Sequence, residues 1–283
     1  HFGLYCQPGM VASWALSDKD SDWSRHQVNW TDGETFKKQY FSLNRSFNPV
    51  RFQPEEWAQM AEDCGFRYLL LTTKHHDGFA LWPSEYGDFN TKNYLQGRDL
   101  VGEFVAACRK NGLRVGLYYS PPDWRMEQDY MSFARDEEVG IDFEPRAPKK
   151  RTPQFDAEER AYRRGQITEL LTRYGKIDML WFDGSCDQAV TPEEVRAMQP
   201  GILCNNRGWG YGDFVCPECR FPDQRPEGRF QYIHCLSDGG WGYNDYGSSC
   251  IAISGCGPTS LSMVYCGLTG DASYTPDKMA AFS

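Results

Sequence analysis

The chain has 283 residues with a formal net charge of -9, which suits one large domain or a domain plus a shorter segment. The acidic balance and a pI near 5.1 argue against nucleic acid or an anionic membrane as partner. A hydrophobic share of 40% is enough to bury a core, mean hydropathy is -0.63, and no apolar run is long enough to span a bilayer.

Read in order, Phe2–Cys6 is a candidate first strand. Pro54 to Cys64 predicts a helix, with proline in the first turn, Glu55 and Glu56 near its positive end and Gly65 as the stop. The apolar run 67–73 reads as a buried strand and ends on Lys74-His75-His76-Asp77-Gly78. Asp99 is the expected N-cap of a helix over 100–111, whose apolar face is Leu100, Val101, Phe104, Val105 and Cys108. Leu113–Tyr119 is the next strand, and a long irregular stretch follows to about residue 155. The cluster Arg146, Lys149, Lys150 and Arg151 lies among prolines and reads as a solvated loop. A helix over 157–174, a strand over 177–182, a helix near 193–199 and a strand at 202–204 complete the pattern. Alternating strands and helices predict an α/β fold with a parallel sheet. At this length a (β/α)8-like TIM barrel is favoured over an open sheet, and no glycine-rich nucleotide loop is present.

The strand 177–182 stops on Asp183-Gly184. A carboxylate at the C-terminal tip of a buried strand stands where barrel enzymes keep their chemistry. Asp183 is open to four roles at this point: nucleophile, base, metal ligand or structural cap. His75 and His76 in a glycine-bounded turn suggest a second loaded strand tip, with metal binding as a rival reading. Their spacing matches no common zinc signature. Cys216-Pro217-Glu218-Cys219 is a C-x-x-C pair, for which His234-Cys235 is the nearest candidate second pair. Eleven cysteines, scattered through strands and helices, read as thiols rather than a disulfide framework.

These blocks resemble the α-L-fucosidases of glycoside hydrolase family 29. The likeness runs through Thr72 to Phe79, Leu81-Trp82, Arg98 to Val101, Gly116 to Ser120 and Leu180 to Gly184. It continues in Asn206-Arg207, Gly212 to Phe214, Pro217-Glu218 and Trp241 to Asn244. The resemblance covers roughly residues 1–246. It implies a retaining hydrolase on a barrel, with no metal or organic cofactor, acting on fucosylated oligosaccharides or glycoconjugates outside the cytoplasm. By resemblance Asp183 is the nucleophile and Glu218 the general acid/base, with Glu34 as the substitute acid if Glu218 fails. His75, His76, Tyr118 and Arg207 fall on sugar-binding positions, and Trp82 is expected as a pocket wall. Retention needs the two carboxyl groups about 5–5.5 Å apart.

Two departures stand out. The family's opening block carries a sugar-binding histidine where this chain has Gln7. After Asn244 the family pattern stops, so the barrel is expected to be incomplete at its C-terminal end, with 1–246 as catalytic barrel and 247–283 as a separate segment. The block 254–264 resembles the start of C39-like cysteine peptidases, with Cys256 as alternative nucleophile at a helix N-terminus. Such a peptidase needs a histidine base, and no histidine follows Cys256 in this sequence.

Overall fold

A computed structural model describes residues 1–10, 12–16, 39–134, 137–142, 144–186 and 188–216, and beyond them 244–246, 249–250, 261–262, 265, 269–271 and 273–281. The chain forms two compact units, His1–Cys216 and Pro217–Ser283, so the expected boundary at 246/247 falls within the second.

In the first unit, α1 (Pro54–Asp63) leads into β1 (Tyr68–Lys74). A short helix α2 (Thr91–Tyr94) and the longer α3 (Leu100–Lys110) then carry the chain to β2 (Arg114–Tyr119). Helix α4 (Pro153–Thr172) precedes β3 (Met179–Phe182), and α5 (Pro192–Met198) precedes β4 (Leu203–Cys204). The four strands pair in the order β1-β2-β3-β4, all parallel. Parallel neighbours require a crossover, and here each crossover advances the chain by one strand. That is the winding of a (β/α) barrel; a doubly wound sheet reverses its strand order partway. The α/β class and the barrel winding are thus as expected, and the described strands form an arc of four. The second unit contains an antiparallel pair, β5 (Asp245–Tyr246) and β6 (Ser249–Cys250), and a short helix α6 (Pro276–Ala280).

Local chemistry explains where the helices start. The Asp99 carboxylate accepts from the Gly102 N–H at 2.8 Å and caps α3. Its face Leu100, Val101, Phe104, Val105 and Cys108 is buried, each large side chain contributing on the order of 1.5–3 kcal/mol. Thr191 and Glu194 form a reciprocal capping box on α5. Helix α4 begins four residues earlier than expected, because Thr152 caps Phe155 N–H and Pro153 occupies the first turn.

The expected first strand is not one. Leu4–Cys6 is a 3-10 turn, with Cys6 N–H donating to Gly3 O at 3.1 Å and Gln7 N–H to Leu4 O at 3.1 Å. Backbone donors spent locally are not available to a neighbouring strand. Leu4 and Tyr5 are nonetheless buried, so the turn anchors the N-terminal segment in the core.

The basic cluster is largely neutralised on the spot: Arg146 pairs with Asp142, Lys149 with Asp129, and Arg151 with Asp156 and Glu159. Among the described residues, no helix is long and apolar enough to cross a membrane. Cys6, Cys64, Cys108 and Cys204 are free thiols, two of them buried and Cys64 exposed.

One irregularity in the sheet positions the site. The β1–β2 register runs evenly to Thr72 opposite Tyr118, then slips so that Lys74 stands opposite Tyr119. The bypassed Thr73 hydroxyl donates to Tyr118 O at 2.7 Å. Side chains alternate between faces along a strand, so one slipped residue moves everything after it to the other face. Lys74 therefore goes to the Tyr119 face, with its ammonium 4.8 Å from that ring. His75 goes to the Tyr118 face, where the two rings stack at 5.8 Å.

Candidate active site

Asp183 follows β3 directly, its N–H bonded to Tyr119 O at 3.0 Å. It has the same parity as Trp181, which pairs with Tyr118, so Asp183 and Tyr118 share a face. Gly184 turns the chain away with φ +125, and a Cβ there would lie 2.6 Å from Pro122 Cδ. Only glycine suits that corner.

Three groups converge on the Asp183 carboxylate. The Tyr118 hydroxyl donates a short hydrogen bond to Oδ2. Arg207, carried beyond β4, places its guanidinium 2.8 Å from Oδ1. His76 Nε2 lies 3.4 Å from Oδ2 but forms no hydrogen bond. Asp183 itself is 9% exposed, enough to meet a ligand. The Tyr118 phenol is pushed far above its ordinary pKa by burial and by the neighbouring Asp183, so it remains a donor at any working pH.

Both histidines are held at Nδ1 by a serine: His75 to Ser13 Oγ at 2.6 Å and His76 to Ser120 Oγ at 2.6 Å. Burial lowers the His76 pKa to about 4, against the opposing pull of Asp183. His75 is also held well below the usual range, chiefly by burial and then by His76. Both imidazoles are therefore neutral near pH 7. Trp14 meets His76 edge-on at 4.8 Å, Trp124 lies 5.2 Å from the same ring, and His1 packs 5.3 Å from both His75 and Tyr118.

His75, His76 and Asp183 present ligand atoms within 4.8 Å of one another. Two neutral imidazoles and a carboxylate are a chemically suitable donor set for a divalent metal. Here, however, the carboxylate already meets a guanidinium and a phenol, which supply the positive charge and the donor a cation would otherwise provide. A carboxylate flanked by neutral imidazoles and aromatic faces suits a neutral polyol with an apolar edge.

The fold thus unites Asp183, His75, His76, Tyr118 and Arg207. Two expected members lie elsewhere. Trp82 is fully buried and donates its indole N–H to Glu169 Oε2 at 2.8 Å, which ties the loop after β1 to α4. It is a core anchor and not a pocket wall, because a buried indole N–H takes whatever acceptor the packing offers. Gln7 is exposed and turned outward, donating to Leu43 O at 2.9 Å and accepting from Ser46 at 3.2 Å, because the turn over Leu4–Cys6 carries it away from the site. Glu218, Glu34 and Cys256 lie outside the described residues. The reading of the sequence missed Ser13, Ser120, Trp14, Trp124 and His1. Of these only Ser120 stood in a noted block, at the end of the family-like stretch Gly116 to Ser120.

Asp77 lies directly behind the histidines. It is fully buried, accepts from Tyr40 OH at 2.6 Å and is pushed up to about 6, burial outweighing that bond. In the unfolded chain an aspartate titrates near 3.9. A raised folded pKa contributes stability that is present below pH ~4 and lost as pH rises through ~6. Against wild type in urea unfolding between pH 4 and 7, Asp77→Asn should remove a downward slope totalling about 3 kcal/mol. An unchanged slope would show that Asp77 does not titrate there.

The family profile described as Alpha-L-fucosidase matches residues 1–252. The tissue α-L-fucosidase of Rattus norvegicus is 28% identical over 266 residues, covering 86% of this chain and 53% of the rat protein. α-L-Fucosidase 1 of Arabidopsis thaliana is 38% identical over 142 residues, covering 49% of this chain and 23% of the plant protein. Among solved structures, α-L-fucosidase isoenzyme 1 from Paenibacillus thiaminolyticus superposes with a TM-score of 0.58 at 32% identity, covering 78% of this chain and 52% of that one. A family 29 α-L-fucosidase from Bacteroides thetaiotaomicron, trapped as a covalent intermediate with 2-fluoro-fucosyl fluoride, gives 0.54 at 28% identity, covering 76% and 48%. The chain spans about half the length, or less, of the curated relatives it matches.

Proposed function

The chain belongs to the α-L-fucosidase family, glycoside hydrolase family 29, and on that footing we propose that it removes terminal α-L-fucosyl residues from glycans with retention of configuration. The observation that carries this reading is the Asp183 carboxylate at the tip of β3, met by Arg207 at 2.8 Å and by the Tyr118 hydroxyl. Those two donors hold the carboxylate in place and aimed. In the first step it attacks the anomeric carbon, an ester forms, and the bond to the leaving oxygen breaks. A general acid delivers a proton to that oxygen, and by resemblance this is Glu218. Water then attacks the same carbon, giving its proton to the same group, and releases fucose with Asp183 restored. Neutral His75 and His76 exchange hydrogen bonds with sugar hydroxyls. The rings of Trp14 and Trp124 offer an apolar surface to the C6 methyl.

The partner proposed is therefore a fucosylated oligosaccharide or glycoconjugate. The division into 1–246 and 247–283 remains part of this proposal; the family match ends at residue 252, before Cys256. No catalytic step is assigned to that cysteine.

Incubation with an aryl α-L-fucoside, followed by proton NMR, tests the reading. The first-formed sugar should be α-L-fucose, mutarotating afterwards. A folded protein that releases β-L-fucose first, or none, contradicts it.

A further inference from the structure

Ser120 sits at the rim, just past β2, its N–H bonded to Lys74 O at 3.0 Å. Its hydroxyl touches two groups: the Pro122 carbonyl oxygen at 2.8 Å and His76 Nδ1 at 2.6 Å. A serine hydroxyl has one proton and two lone pairs. A carbonyl oxygen can only accept, so the proton points at Pro122. Ser120 Oγ then offers a lone pair to His76, and Nδ1 must carry the hydrogen. In a neutral imidazole the other nitrogen is then bare.

The far side of the ring is compatible with this. His76 Nε2 is buried without a hydrogen-bond partner, although a carboxylate oxygen of Asp183 lies only 3.4 Å away. An N–H at Nε2 would not meet that oxygen in hydrogen-bonding geometry, so nothing there calls for a proton on Nε2. Nε2 is thus a buried acceptor without a donor, which a ligand hydroxyl would supply. Pro121 and Pro122 fix φ at two successive positions of the loop. Trp124 N–H binds His76 O at 2.7 Å, so one short segment holds both the carbonyl and the imidazole.

We propose that Ser120 is a positioning residue that locks His76 in the Nδ1–H tautomer, so that Nε2 accepts the proton of a sugar hydroxyl beside Asp183. For the identity of that hydroxyl the proposal rests on the fucosidase reading. Selectivity follows: a ligand with a hydroxyl at this place satisfies a buried acceptor, and one lacking it leaves that acceptor unpaired. The charged groups that face His76 are Asp183 after β3, Lys74 on its own strand, Arg207 after β4 and Asp123 after β2.

The test is nitrogen NMR of the intact protein with labelled histidine at pH 7, without ligand. His76 should show a protonated Nδ1 and an unprotonated Nε2. Ser120→Ala should disturb that pattern and weaken L-fucose binding, read by calorimetry, about tenfold. Ser120→Thr, which keeps the hydroxyl, should restore both, which a merely structural role would not require. A protonated Nε2 in the wild-type protein overturns the proposal, as does an alanine variant with native tautomer and native affinity. The wild-type spectrum decides even if the alanine variant does not fold. Because that spectrum needs no sugar, while turnover of an aryl fucoside tests the function, each reading can fail without the other.

Discussion

Asp183→Ala should lower kcat for an aryl α-L-fucoside by about 10⁴- to 10⁶-fold, the scale expected when a covalent nucleophile is removed. The argument is geometric. The carboxylate is fixed at the β3 tip by its own N–H, by Tyr118 and by Arg207. Alanine deletes the proposed nucleophile and leaves a small void beside a guanidinium. Added azide, a small anion, should enter that void and attack the anomeric carbon in place of the carboxylate, restoring turnover and yielding β-L-fucosyl azide. Rescue with inverted product distinguishes a lost nucleophile from a lost fold. A variant that keeps turnover within tenfold of wild type, or whose azide product is the α-anomer, would remove Asp183 from the mechanism.

The second large effect concerns stability. Lys74 and Asp123 form an ion pair at 3.1 Å with side chains 0% and 2% exposed. Burial pushes the Asp123 carboxyl up, but Lys74, the Met126 N–H and the Tyr162 hydroxyl together bring it below the usual range. Burial lowers the Lys74 ammonium against the attraction of Asp123. Removing one member of such a pair strands the other in the interior, at a cost of about 3–5 kcal/mol. Asp123→Ala should therefore lower the melting temperature by roughly 10 °C. The paired change Lys74→Met with Asp123→Leu should cost much less than the sum of the single changes, since no buried charge is left alone. Urea unfolding of the two single variants and the double variant closes the cycle. A single variant within 1 kcal/mol of wild type would mean the pair is not energetically buried. Activity should fall along with stability, because Lys74 immediately precedes the two histidines and Trp124, next to Asp123, binds His76 O.

Much of the fold could be read from spacing alone, because its signals are local. Apolar runs mark β1 to β3, and Asp99 marks the start of α3. The late start expected for α4 shows the limit of reading a hydrophobic face without its cap, since Thr152-Pro153 carries the boundary. Phe2–Cys6 shows another limit. A short apolar run fits a strand or a buried turn equally well, and only the destination of its N–H groups decides.

The site divides along the same line. That Asp183 ends a buried strand, that two histidines end another, and that the chain resembles a family with a nucleophile there are properties of residue order. Contacts across 62 residues, as between Ser13 and His75, or 65, as between Tyr118 and Asp183, have no signature in spacing. Trp82 sits in a block that matches the family and Gln7 where the family carries a histidine, yet packing sends one to Glu169 in the core and the other outward to Leu43. The slipped register after Thr72 is of the same kind. Period-two alternation assigns each strand residue a side only while pairing stays even. One irregularity in the pairing with the neighbouring strand exchanged the sides of Lys74 and His75, and with them the buried ammonium and the imidazole that stacks on Tyr118.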